Sequence, residues 1–182
     1  MTAIELINIK KYFKDGPDQI EALKETNLTI NKGEFVAVIG PSGSGKSTFL
    51  TIIGGLQSPS QGEVRLNGQA FSQKKEKARA KMRFDQIGFI LQASNLVPFL
   101  KIKDQLRLVD KVDKKKQRES IDSLFDQLGI ASIADKYPEE ISGGQRQRVA
   151  IARALYNDPT IILLMSQQRV WTLKKPWKLS KF

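Results

Sequence analysis

The sequence predicts an α/β fold, and three observations carry that prediction. Phe35-Val36-Ala37-Val38-Ile39 is an unbroken apolar run rich in β-branched residues, the pattern of a strand buried on both faces of a parallel sheet. A glycine-rich loop follows at once, and Ser47 to Gly54 then takes helical spacing. After a long helical stretch a second buried-type run appears at Thr160 to Leu164, so strands and helices alternate along the chain.

Each element has its own signal. Met1 to Lys14 alternates Ile4, Leu6, Ile7 and Ile9 with polar residues, as a half-buried strand does. Asp15-Gly16-Pro17-Asp18 is a turn, and Ala22 to Ile30 reads as the next strand, closed by Asn31-Lys32-Gly33. Gly62 to Asn67 and Gln86 to Leu91 read as strands, with a helix at Lys74 to Arg83 between them. From Leu96 to Tyr156 the pattern is mainly helical. Gln117 to Leu128 sets Ile121, Leu124, Phe125 and Leu128 on one face, with Gly129 as a stop. Gln145 to Asn157 is a second strong helix, ended by Asp158-Pro159. No internal repeat or low-complexity linker interrupts this order.

Composition excludes several functions. The 182 residues suffice for one globular domain, and 40% apolar with 27% charged is ordinary for a soluble protein. The absence of Cys excludes disulfides and thiolate metal sites, and the absence of His excludes imidazole acid–base chemistry. Apolar runs such as Ile161 to Met165 are far too short to cross a bilayer, and the N-terminus has no secretory pattern. The net charge is +11, and Leu164 to Phe182 carries five basic residues and no acidic one. By charge alone, Lys74 to Arg83 and Lys111 to Arg118 suit nucleic acid or anionic lipid. Both runs contain acidic residues and lack interleaved aromatics, so they read as solvated helix faces and no nucleic-acid partner is expected.

Gly40-Pro41-Ser42-Gly43-Ser44-Gly45-Lys46-Ser47-Thr48 matches the P-loop pattern in full, after a strand and before a helix, as its mechanism requires. Its glycines let successive backbone N–H groups converge on phosphate oxygens, and the helix N-terminus adds partial positive charge. Lys46 supplies a point charge for the β- and γ-phosphates, and Ser47 a hydroxyl for Mg²⁺. Alone, the loop says only that a nucleoside triphosphate binds. Ile141-Ser142-Gly143-Gly144-Gln145 narrows the class. Ser142 and Gln145 have capping-box spacing, but a plain cap gives no reason for Gly143 and Gly144, which cost helix stability. The two glycines leave the amides of the helix start uncovered, a ready anion site.

These motifs, in this order, resemble those of ABC ATPases over about residues 1–163. Ile141 to Gln145 is similar to the family's signature motif, Gln92 to its Q-loop glutamine, and Tyr12 to the aromatic that stacks on adenine. The resemblance implies a P-loop NTPase core with a parallel sheet, an N-terminal antiparallel β part and an inserted helical subdomain. Its implied divisions are an ATP-binding core at 1–92, a helical subdomain at 93–158, a remaining core strand at 159–164 and a non-native, disordered tail at 165–182. Ile87 to Gln92 followed by Asn95-Leu96-Val97-Pro98 is similar to the subgroup serving lipoprotein release, macrolide or peptide export, and haem export. Leu96 to Leu106 most resembles the haem exporter. The resemblance further implies ATP and Mg²⁺ as cofactors, with Ser47 and Gln92 on the metal. It implies a transmembrane permease as partner and a second ATP-binding subunit head to tail, whose Ser142, Gly143, Gly144 and Gln145 cover the ATP. The expected location is the cytoplasmic face of the cell membrane.

The chain then departs from the family. The strand Ile161-Ile162-Leu163 leads in the family to Asp-Glu-Pro-Thr, where Asp holds Mg²⁺ and Glu polarises water. Here Met165 and Ser166 stand at those positions. A thioether is a poor ligand for a hard cation, and a neutral hydroxyl is a poor general base. The family's later D-loop aspartate and switch histidine are also absent. Permissible codons for Leu164 to Trp171, read one base earlier, spell Asp-Glu-Pro-Thr-Ala-Gly-Leu, and Thr172 then completes Leu-Asp. The expectation is a one-base deletion near codon 164, with the C-terminal part of the core missing and an apolar sheet edge left open. Gene codons unable to spell Asp-Glu in that frame exclude it.

Three readings of function follow. One is an ATPase subunit that still binds ATP weakly but is defective in hydrolysis. The second is a non-hydrolysing nucleotide-binding regulatory subunit. The third, a basic nucleic-acid-binding P-loop protein, is disfavoured by the Ser-Gly-Gly-Gln helix start.

Overall fold

The computed structural model describes residues 1–91, 93–113 and 118–165. They form two compact units, one of Met1–Phe84 with Leu163–Met165, the other of Asp85–Ile162.

The first unit is built on an antiparallel sheet. Strand β1 (Thr2–Asp15) pairs on one side with β2 (Asp18–Asn31) and on the other with β3 (Gln61–Leu66), which pairs with the short β4 (Gln69–Ala70), giving the order β2-β1-β3-β4. Ile4 faces Ile30 and Leu66 on its two neighbours, and Leu6 faces Leu28 and Val64, so the alternation seen in the sequence becomes one apolar face. At Asn8 that alternation breaks. Its φ of 49° inserts a bulge, so inward residues change from even numbers (Ile4, Leu6) to odd, and Ile9 is fully buried. Across the bulge Gly62 has φ 82°, and a Cβ there would sit 2.4 Å from the carbonyl oxygens of Ile7 and Asn8. Helix α1 (Lys46–Ile53) buries Phe49, Leu50, Ile52 and Ile53, whereas α2 (Glu76–Gln86) buries only Met82.

The expected strand at Phe35 to Ile39 does not form. No regular ladder is assigned over residues 34–40, and Phe35 and Ile39 are 49% and 82% exposed rather than buried. An apolar β-branched run suits a pleated, covered surface but cannot make one without a neighbouring strand to supply the ladder.

The second unit carries β5 (Ile87–Leu91), which pairs with the strand β6 (Ile161–Met165) that starts in this unit, and three helices, α3 (Ile102–Val112), α4 (Ile121–Gln127) and α5 (Gly143–Tyr156). Gly88 brings β5 against α5, because a Cβ there would lie 2.5 Å from the Ala154 carbonyl oxygen. Leu106 of α3, Leu124 and Phe125 of α4 and Val149, Ala152 and Tyr156 of α5 share one core with Ile133 and Ile141. Helix α4 starts at Ile121, four residues later than its sequence pattern, because the Ser120 hydroxyl accepts the Ser123 amide at 3.0 Å and caps it there. Gln117 lies outside the described residues. A polar lock closes this unit. The Tyr156 hydroxyl donates to Asp110 at 3.0 Å, and the Arg118 guanidinium reaches Asp110 at 3.3 Å and the Asn157 side-chain oxygen at 2.9 Å.

Candidate nucleotide-binding site

The loop Gly40–Thr48 is shaped by two left-handed glycines. Gly43 and Gly45 have φ of 82° and 83°, a region that costs other residues strain. Gly45 has a second constraint, since a Cβ there would meet the Ala22 carbonyl oxygen at 2.4 Å. The loop therefore lies directly against β2. Helix α1 begins at once, with the Phe49 amide donating to the Gly45 carbonyl at 2.8 Å. The amides of its first turn have no carbonyl partner within the helix and carry its positive dipole end.

Lys46 turns its ammonium back over the loop. Nζ donates to the Gly40 carbonyl at 2.7 Å, the Pro41 carbonyl at 2.5 Å and the Ser44 hydroxyl at 3.2 Å, which occupies three donors. All three donors are thus spent on the loop itself, and a phosphate oxygen would have to displace at least one of these bonds to reach the ammonium. A groove of about 510 Å³ adjoins the loop, walled by Leu23, Leu28, Val38, Ile39 and Phe49 and reaching Lys46. Tyr12 stands opposite Glu21 in the β1–β2 ladder, one residue from the Ala22 that touches Gly45, so its rung of the hairpin neighbours the loop.

In the second unit, the expected helix start is present. The Ser142 hydroxyl accepts the Gln145 amide at 3.2 Å, and the Gln145 side-chain oxygen accepts the Ser142 amide at 2.8 Å. This reciprocal box fixes the entry of α5, while Gly143 and Gly144 keep its first turn bare. The Ser142 hydroxyl also retains a lone pair and a proton for an outside oxygen.

Sequence reasoning passed over Arg153. Three turns along α5 it donates to the carbonyls of Ser94 at 2.9 Å and Asn95 at 2.8 Å, fastening the loop that follows residue 92 to the signature helix. Burial pushes its guanidinium below its ordinary value. An arginine set among Ile151, Ala152 and Ala154 on a packed helix was the available signal, since a charge is seldom buried without a partner. Gln92 and Ser166, expected on the metal and at the catalytic carboxylate position, lie outside the described residues.

Met165 ends β6 and is half-buried. Mg²⁺ takes six oxygens in an octahedron, commonly one or two carboxylates with waters and substrate phosphates. Ser47 offers one neutral oxygen and Met165 a soft sulfur. Among the described residues, no group of three or more Asp, Glu, His or Cys side chains could hold a metal.

Residues 23–164 match the family model of the ABC transporter, spanning both the loop and the signature helix. The chain belongs to the ABC transporter ATP-binding family. It is 45% identical over 165 residues to the putative hemin import ATP-binding protein HrtA of Staphylococcus haemolyticus, covering 88% of this chain and 74% of that one. The lipoprotein-releasing system ATP-binding protein LolD of Saccharophagus degradans is 40% identical, over 88% of this chain and 72% of its own. Among solved structures, the dimeric post-hydrolysis state of the ATP-binding cassette MJ0796 bound to ADP and Pi matches with a TM-score of 0.79 at 39% identity, over 88% of this chain and 72% of that one. This ABC cassette therefore has the α/β fold expected, with its antiparallel N-terminal sheet and helical insertion, and ATP as its nucleotide. Among the described residues, no helix is long and apolar enough to cross a membrane.

Proposed function

We propose that this chain is the ATP-binding subunit of an ABC transporter of the export or release type, and that it holds ATP weakly and hydrolyses almost none. One observation carries the reading. A complete phosphate cradle at Gly40–Thr48 is combined with a core strand, β6, that ends on Met165 and is followed by Ser166, with no acidic residue from there to Phe182. The cradle and Lys46 recognise charge already present on a triphosphate, so they act in the ground state. Hydrolysis needs in addition a base or a water-orienting oxygen beside the γ-phosphate. Met165 and Ser166 supply neither. The expected loss is ~10³-fold or more in rate.

Tyr12 would carry the adenine, Lys46 the phosphates, and Ser142 to Gln145 of a second subunit the outer face of the nucleotide. The partner would be a transmembrane permease at the cytoplasmic face, and the HrtA relatives favour haem as its cargo. Their names point to import and those of LolD and BceA to release and export, so direction is tested by transport and not by likeness.

The test pairs an ATP titration with a phosphate-release assay on the full chain. The expected result is weak binding that Mg²⁺ barely improves, with phosphate release at background. Turnover at an ordinary transporter rate overturns the reading. The same intact cradle also suits a non-hydrolysing regulatory subunit, and ATP-dependent co-purification with a permease separates that role from plain loss of function.

A further inference from the structure

Helix α2 carries a charge pattern that its own stability does not explain. Lys77 lies in its first turn, and Lys74 and Lys75 just before it, at the end where the helix dipole disfavours cations. The acidic residue of that turn, Glu76, is paired along its own helix, although its side chain stays 61% exposed. Arg79 Nε meets it at 3.1 Å and Arg83 Nη2 at 3.3 Å, and these two guanidinium groups hold its carboxyl below the usual range. The arginines are in turn committed to the body of the unit, Arg83 to the Gly55 carbonyl at 2.7 Å and Arg79 to the Ser58 hydroxyl at 2.5 Å. Met82 packs beneath.

The opposite face is left to lysine. Lys77, Ala78 and Lys81 are exposed and follow helical spacing, and Lys74 continues the stripe into the preceding turn. None of Lys74, Lys75, Lys77 and Lys81 makes an ion pair among the described residues. The loop Gly55–Ser58, gripped by both arginines, presents Leu56 beside this helix with 51% of its surface exposed. A local choice that opposes helix stability is the kind found at functional surfaces.

We infer that the Lys74–Lys81 face of α2, with Leu56 at its flank, is a docking surface for an anionic phospholipid bilayer. The lysines meet headgroup phosphates through long flexible stems, and Leu56 enters the headgroup layer as an apolar anchor. Nucleic acid suits the face less well, because no exposed aromatic interleaves the lysines for base stacking. This inference stands apart from the hydrolysis reading, since it uses neither the loop nor β6.

Co-sedimentation of the full chain with vesicles of phosphatidylcholine alone, or of phosphatidylcholine with phosphatidylglycerol, tests it. Binding is expected only to the anionic vesicles and is lost at high salt. Each lysine removed lowers partitioning about five-fold, so the triple variant Lys74→Gln, Lys77→Gln, Lys81→Gln falls on the order of a hundred-fold. Leu56→Ser lowers binding without changing its salt dependence. The control variant Lys174→Gln, Lys175→Gln, Lys178→Gln, Lys181→Gln, in the basic C-terminal stretch, retains most binding. Equal binding to neutral vesicles, loss in the control variant alone, or the same fall in both variants overturns the proposal. Duplex DNA bound through the same lysines, with no vesicle binding, also overturns it. Unchanged circular dichroism shows that each variant folds.

Discussion

At Gly45 the backbone is in a left-handed conformation and the space where a side chain would begin is held by the Ala22 carbonyl. Gly45→Ala is expected to cost at least ~1–3 kcal/mol and to abolish ATP binding, read by urea denaturation and by titration. The glycine pattern made the loop legible, but the carbonyl that makes Gly45 obligatory comes from a residue in β2 that no local motif names. Arg118 was hidden for the same reason. Its side chain is 3% exposed, and it joins the nearby Asp110 and Asp113 carbonyl to Asn157, 39 positions away. Arg118→Ala removes these bonds, but Asp110 is 42% exposed and keeps the Tyr156 hydroxyl, so a cost of about 1–2 kcal/mol is expected, read by urea denaturation. Burial, then the bond to Asp110, pushes the Tyr156 hydroxyl from 10.0 up to about 12. An unfolded tyrosine gives up its proton first, so this contribution is whole below about pH 10 and is lost as pH rises towards 12. Tyr156→Phe is expected to flatten that part of the stability–pH curve, measured by denaturation at a series of pH values.

Among the elements, α5 was read most completely, because its cap, glycines and apolar spacing all agree. Ser142→Ala removes a bond that the helix start uses and is expected to lower stability by ~1 kcal/mol, whereas Ser142→Asn keeps the cap and most of that stability. Strand β1 was read correctly in extent but not in register. Asn8 turns the alternation over, and Ile9 is buried out of phase with Leu6. The segment Phe35 to Ile39 was misread, since a strand needs partners that an apolar pattern cannot specify. Its exposed side chains make a further expectation. Ile39→Lys should lower binding of a hydrophobic dye and raise solubility, as a charge does in an uncovered β-prone stretch.

For the molecule as a whole, family and nucleotide were legible because their motifs are short, ordered and local. Gln92 and Ser166 fall outside the described residues, so their roles rest on the resemblance alone. The arginine grip on residues 94 and 95 and the lysine stripe of α2 needed the folded chain, since each depends on which way a side chain turns. Helix α5 then has a consequence for the assembled cassette. Its 14 residues make a rod ~21 Å long, pinned at one end by the hydroxyl of Tyr156 and bearing the bare glycines at the other. A swing of only ~10° about the pinned end carries the far tip ~3–4 Å, more than the length of a hydrogen bond. The glycine tip is held against such a swing by its own capping box and by Arg146 on the Pro138 and Ile141 carbonyls, so its place is set along the whole rod and not by Tyr156 alone.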